Sequence, residues 1–221
     1  MASIDSKLAT LRRRAAKNDL EVEHLTEFAV IGDARAVPVI QELRAKHDWS
    51  PSNHDGDANI VPLARWSEVV CNYLEGGCDA LVEYARSPEQ ESLYFAVSIL
   101  AKVKSAACVL SLAELSADIA TALPARVKDG VKLADAINLT LSFKNPPPAY
   151  PDTAMQLCSY LHAMLLQDLN EHERARIVCA LREVGDEESI RLIGKLPKFK
   201  GAWVGLESLA CKVIRKRIRD S

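Results

Sequence analysis

The stretch Ala180–Leu196, ALREVGDEESIRLIGKL, has a near counterpart early in the chain at Phe28–Leu43, FAVIGDARAVPVIQEL. With Val184 set on Ile31, Gly185-Asp186 falls on Gly32-Asp33, Ser189 on Ala36, Ile190 on Val37 and Ile193 on Ile40. Apolar residues at three- and four-residue intervals on both sides predict helix, turn, helix. Glycine tolerates the left-handed backbone that closes a helix, and aspartate accepts amides left orphaned at the start of the next. The spacing therefore predicts an antiparallel helix pair, present twice.

Degenerate copies lie between. AVSILAKVKSAACVLSL keeps the apolar sites Leu100, Val103, Val109 and Leu112 but has Lys104-Ser105 at the turn. NYLEGGCDALVEYA keeps glycines, and INLTLSFKNPPPAYPDTAMQLCSYL stretches the turn into a proline-rich loop. Ile31, Leu74, Val103, Leu141 and Val184 then stand 43, 29, 38 and 43 residues apart. Periods of about 40 residues belong to stacked helix pairs.

The Gly-Asp-x-x-Ser/Ala-Val/Ile turn between apolar helices resembles the HEAT-repeat family, in particular its short bacterial, lyase-associated type. The resemblance implies an all-α solenoid of about five to six antiparallel pairs, about twelve helices in all. It covers residues 1–221 as a single repeat domain, with a polar insertion at 47–61 and a proline-rich loop at 144–151. The residues that define it are structural, so it is nearly silent on function.

Helical stripes also run through Leu20–Ile31, Val37–Leu43, Leu63–Leu74, Leu93–Val103, Val109–Leu115, Val131–Leu141, Met155–Leu166 and Ile177–Val184. The final segment repeats Trp203, Leu206, Leu209, Ala210, Val213, Ile214 and Ile218 against Lys212, Arg215, Lys216 and Arg219, an amphipathic helix with a cationic face. Ser87-Pro88-Glu89-Gln90 and Asn170-Glu171-His172-Glu173 read as helix starts with capping boxes. Pro62, Pro124 and Pro151 are expected to open helices, and Gly76-Gly77 to make a tight turn. No alternating strand pattern stands between turn residues.

Hydrophobic residues at 48% and charged ones at 26% are those of a globular chain, which removes disorder from consideration. No apolar run is long enough to span a membrane. The N-terminus lacks a continuous apolar signal core, and the six cysteines lie scattered in apolar helical stretches. Both point to a cytoplasmic protein with reduced thiols. The net charge of −2 is uneven: five basic residues against one acidic give +4 over 1–17, and eight against two give +6 over 195–221, leaving −12 between. An acidic body between basic ends is the clearest partner clue in the chain.

Chemistry is sparse. His172-Glu173 is a single copy of a pair that HEAT-like di-iron hydroxylases repeat, and it falls at a solvated helix start. The segment His47–Asn59 offers His47, Asp48, His54, Asp55, Asp57 and Asn59, but Ile60 stands where a calcium loop needs glycine and Trp66 where it needs glutamate. No Gly-x-Ser-x-Gly elbow or phosphate-cradling glycine loop occurs. No catalytic residue, metal ligand, cofactor or small-molecule substrate is assigned. HEAT-like DNA glycosylases combine a basic concave surface with aromatic residues, and Trp49, Trp66 and Trp203 are present. The −12 body disfavours that reading, since phosphate binding needs concentrated lysine and arginine.

The expectation is therefore a non-enzymatic scaffold whose acidic concave face binds a basic protein, as an immunity protein masks a toxin. Its contacts are Glu42, Glu83, Glu114 and Asp118 on the second helices of the pairs, with Asp48, Asp55 and Asp57 in the insertion. Two alternatives stand beside it: a HEAT-like DNA-binding protein or DNA glycosylase, and a chaperone or lyase-associated protein.

Overall fold

The computed structural model describes residues 3–47, 49, 60–89, 91–142 and 150–220. Among them every regular element is helical: α1 (Ile4–Ala15), α2 (Val22–Ile31), α3 (Ala36–Lys46), α4 (Ile60–Arg86), α5 (Ser92–Val103), α6 (Ala106–Thr121), α7 (Val127–Leu141), α8 (Pro151–Leu165), α9 (Glu171–Val184), α10 (Glu187–Lys195) and α11 (Leu206–Asp220), with one 3-10 turn at Gly201–Trp203. The predicted stripes fall inside these helices except at three ends: Leu20 precedes α2, Leu166 follows α8, and Trp203 lies in the 3-10 turn before α11. Where the sequence treats residues 1–221 as one repeat domain, contacts group the chain into two compact units, Met1–Val103 and Lys104–Ser221.

In the first unit α1 packs on α3, α2 on α4 and α5, α3 on α4, and α4 on α5. Leu25, Phe28, Ile40, Val69, Val70, Leu81, Ile99 and Leu100 are buried at that core. Fully burying each such side chain stabilises by about 1.5–3 kcal/mol relative to exposure. Trp66 on α4 meets Phe95 edge-to-face at 5.1 Å and Tyr94 at 6.2 Å, both on α5, which ties the two helices together. Gly77 breaks α4 with φ 68° and ψ −152°, so the predicted Gly76-Gly77 turn takes the form of a kink.

In the second unit α6 packs on α7 and α8, α7 on α8 and α9, α8 on α9 and α10, and α11 on α9 and α10. Leu112, Leu133, Ile137, Leu157, Leu161, Met164, Ile177, Val178, Leu181 and Ile214 fill its centre. The Tyr160 hydroxyl donates to the Gly130 carbonyl at 2.7 Å, which satisfies the phenol inside that core.

Several local expectations hold and several do not. Asn170 caps α9 in a capping box with Glu173, and Pro151 opens α8. Pro62 lies in the first turn of α4, whereas Pro124 stands in the turn before α7 rather than at its start. Ser87-Pro88 does not open a helix: α5 begins at Ser92, after Glu91 takes a φ of 66°. Gly32 closes α2 in the left-handed conformation at φ 70°. Asp33 does not cap α3, because its carboxylate turns back to accept from the Arg35 backbone and guanidinium, and α3 starts only at Ala36.

Gly185 departs from its aligned partner. Its φ of −61° and ψ of 159° are extended, open to any residue. Space is what requires glycine, since a Cβ there would meet the Leu181 carbonyl oxygen at 2.5 Å, Ser189 Oγ at 2.9 Å and Ile214 Cδ1 at 3.0 Å. The two matching Gly-Asp turns thus use glycine for different physical reasons.

Candidate functional site

Pro151 starts α8 with its φ already suited to a helix, and the apolar stripe Leu157, Leu161, Met164 and Leu165 pins the helix to the core. That orientation sets Cys158 and His162, one turn apart, on a common face. Opposite them α9 ends at Val184, the chain turns through Gly185, and Asp186 opens α10 by accepting from the Ser189 amide at 2.8 Å. The Ser189 hydroxyl donates to Asp186 Oδ1 at 3.0 Å and accepts from the Asp186 amide at 3.0 Å.

The two elements bring four heteroatoms together. His162 Nε2 lies 2.7 Å from Ser189 Oγ, 3.5 Å from Cys158 Sγ and 3.6 Å from Asp186 Oδ1. Cys158 Sγ is also 3.5 Å from Ser189 Oγ. Because the hydroxyl proton goes to Asp186, Nε2 is the donor to Ser189 and carries a proton in this arrangement. Cys158 and Ser189 are buried, His162 half-buried and Asp186 exposed. The Arg217 guanidinium, reaching from α11, donates to the carbonyls of Arg182 (2.8 Å) and Gly185 and closes off the end of α9.

Electrostatics follow from this burial. Desolvation pushes the Cys158 thiol up, although the Ser189 hydrogen bond pulls the other way. Burial would raise Asp186 too, but hydrogen bonds from the backbone and side chain of Ser189, helped by His162, outweigh it and hold the carboxyl below its ordinary value. Arg217 is lowered by desolvation. A serine–histidine–aspartate relay is not what this geometry makes, since Ser189 and Asp186 both approach Nε2. A buried thiol with a raised pKa is likewise a poor nucleophile. What the cluster offers is one sulfur, one imidazole and one carboxylate, each with an atom within 4.8 Å of the others.

The residues expected to contact a partner are spread over both units. Glu42 on α3 is exposed and takes an ion pair from Arg12 at 3.1 Å. Glu83 on α4 is exposed and pairs with Arg86 at 2.7 Å. Glu114 is exposed and Asp118 half-buried, both on α6 in the second unit. Asp48, Asp55 and Asp57 lie outside the described residues, as does most of the His47–Asn59 segment. Lys7 with Glu27 and Arg14 with Asp19 show that the N-terminal cations fold back on acidic neighbours. By count the first unit is acidic, with 11 basic against 16 acidic residues, and the second basic, with 17 against 14.

His172 accepts from Arg176 Nε at 3.1 Å and leans on Trp203 at 5.6 Å, and Glu173 serves the Asn170 cap. Trp49 and Trp66 are buried, so neither is exposed for stacking on a base. All six cysteines are thiols, Cys78 and Cys179 half-buried and the rest buried. Outward on α11, Leu209, Val213 and Ile218 stand exposed among Lys212, Arg215, Lys216 and Arg219. A groove of about 470 Å³ between α10 and α11 is lined by Glu187, Ile190, Lys212, Arg215, Ile218 and Arg219. No helix of the described residues is long and apolar enough to cross a membrane.

The sequence reading missed the Cys158–His162–Asp186 group. Its only local signal is Cys-x-x-x-His on one helix, which places two ligand types on one face, while Asp186 arrives from a separate turn. Compared with family models, with curated proteins and with solved structures, the chain matches none.

Proposed function

We propose that this chain is a non-enzymatic, cytoplasmic protein-binding scaffold of HEAT-like helix pairs, whose acidic first unit receives a basic partner protein. The stacked-pair reading is supported by which helices touch: α1 with α3, α2 with α4, α6 with α8, α7 with α9, α8 with α10 and α9 with α11. Within each unit most helices two apart touch, as they do where antiparallel pairs are piled.

The observation that carries the partner reading is charge. The first unit has five more acidic than basic residues, and Glu42, Glu83, Glu75 and Asp79 all stand exposed. Such a surface steers cationic partners and favours arginine-rich interfaces. A toxin masked by its immunity protein is one partner of that chemistry.

The test is affinity purification from the native host at low salt, with mass spectrometry of what is retained. A stoichiometric basic protein, released as salt rises, supports the reading; retention of nothing basic sinks it.

A second reading, nucleic-acid binding by Lys104–Ser221, is favoured by the cationic face of α11. It requires duplex binding that weakens steeply with salt and is lost on Lys212→Glu with Arg215→Glu. Base release would further mark a glycosylase.

A further inference from the structure

We propose that Cys158, His162 and Asp186 form a zinc site in which Sγ, Nε2 and Oδ1 ligate one ion and water completes a tetrahedron. The site lies in the second unit and is independent of the partner reading. A zinc ion at about 2.3 Å from sulfur and about 2.0–2.2 Å from nitrogen and oxygen holds tetrahedral ligand atoms roughly 3.3–3.6 Å apart. Here Sγ and Nε2 are 3.5 Å apart, Nε2 and Oδ1 3.6 Å, and all three lie within 4.8 Å of one another. Two of the three edges already have the bonded spacing without any backbone movement.

The centre of the group is held by a hydroxyl. Ser189 Oγ sits 2.7 Å from Nε2, 3.0 Å from Oδ1 and 3.5 Å from Sγ, so an ion enters only when this hydroxyl swings away about its own χ1. As zinc enters, the Cys158 S–H bond breaks, its proton passes to solvent and a Zn–S bond forms. The His162 proton shifts from Nε2 to Nδ1, so the ring binds neutral. One thiolate and one carboxylate then balance the two positive charges.

The donor set selects the ion. Thiolate and imidazole suit zinc, whereas magnesium and calcium require oxygen ligands. The ligands stand on ordered elements: Cys158 and His162 share α8, and the Asp186 carboxylate keeps its bond from the Ser189 backbone amide at the start of α10 when the Ser189 hydroxyl turns away. Arg217 is the cation facing the group from α11. Its guanidinium is directed at the Arg182 and Gly185 carbonyls. Bound zinc would clamp α8 to α10.

The experiment uses the full chain, stripped with a chelator under reducing conditions and titrated with zinc chloride by calorimetry. Cobalt is then substituted to read the ligand field. His162→Gln is the key variant, because all six thiols remain and adventitious thiol binding is left intact. The expected result is one tight equivalent and a tetrahedral cobalt spectrum with a thiolate charge-transfer band. His162→Gln should bind about 100-fold more weakly or worse, since losing even an outer-shell partner costs about 10–100-fold. Zinc should also raise the melting temperature of the wild type and leave that of the variant unchanged. If His162→Gln does not fold in chelator by circular dichroism, Cys158→Ser, nearly isosteric and a poor ligand, replaces it with the same expectation. Zinc binding equal in wild type and folded variant, or no binding near one equivalent, would overturn the site and leave a hydrogen-bonded capping network.

Discussion

Replacing Gly185 with alanine puts a methyl group 2.5 Å from the Leu181 carbonyl oxygen, 2.9 Å from Ser189 Oγ and 3.0 Å from Ile214 Cδ1. The first contact is backbone inside α9, and α9 is tied by Arg217 at the same end, so it has little room to yield. Overpacking of this kind costs about 1–3 kcal/mol, and a rigid backbone neighbour places Gly185→Ala near the upper end. Gly32→Ala is the contrast. No atom lies within 4 Å of a Cβ there, and the penalty is the left-handed φ of 70°, about 1–2 kcal/mol. Asparagine separates the two causes, because it tolerates the left-handed region but is larger than alanine. Urea denaturation of the four variants should find Gly32→Asn milder than Gly32→Ala, and Gly185→Asn at least as damaging as Gly185→Ala. Relief of the Gly185 penalty by asparagine would refute a packing role and return that turn to the left-handed geometry of its counterpart.

Asn170→Ala removes the α9 cap and should cost about 1 kcal/mol of the second unit's stability, read as a lower urea midpoint. The pH dependence of Asp186 and Glu183 has opposite signs. Asp186 sits below its ordinary value in the fold, so it stabilises above pH 3.8 and loses that contribution as pH falls through its folded pKa. The gap between wild type and Asp186→Asn should therefore be widest near neutrality and close on acidification. Burial raises Glu183, despite opposing charge from Arg182 and Arg217, so its ionised form costs stability as pH rises above 4.5. Glu183→Gln should raise the urea midpoint at pH 7 and lose that advantage toward pH 4.

The helices were legible because burial imposes a 3.6-residue period. Leu93–Val103 and Val131–Leu141 show that stripe and are buried along it. Helix ends were legible only where chemistry is local. Asn170 and Asp186 cap as their spacing demands, while Asp33 prefers Arg35 and Ser87-Pro88 yields to a start at Ser92. At Lys104-Ser105, where the repeat signature is lost, its geometry persists: Lys104 takes φ 55° and Ser105 caps α6. Gly185 could not be read correctly, since the atoms that crowd it include Ile214, far along the chain. The same limit hid the zinc ligands, which α8 and the α9–α10 turn bring together only after folding. Charge summed along the chain placed the acidity in the middle; the boundary at Val103 assigns the excess to the first unit.

Charge reversal in the complex with the co-purified basic protein tests the binding claim most directly. Affinity is measured by titration for Glu42→Lys with Glu83→Lys in the first unit, and for Lys212→Glu with Arg215→Glu on α11. The account predicts at least a tenfold loss for the first pair, with slower association at low salt, and no loss for the second. Unchanged affinity in the first pair, or loss confined to the α11 pair, would contradict it.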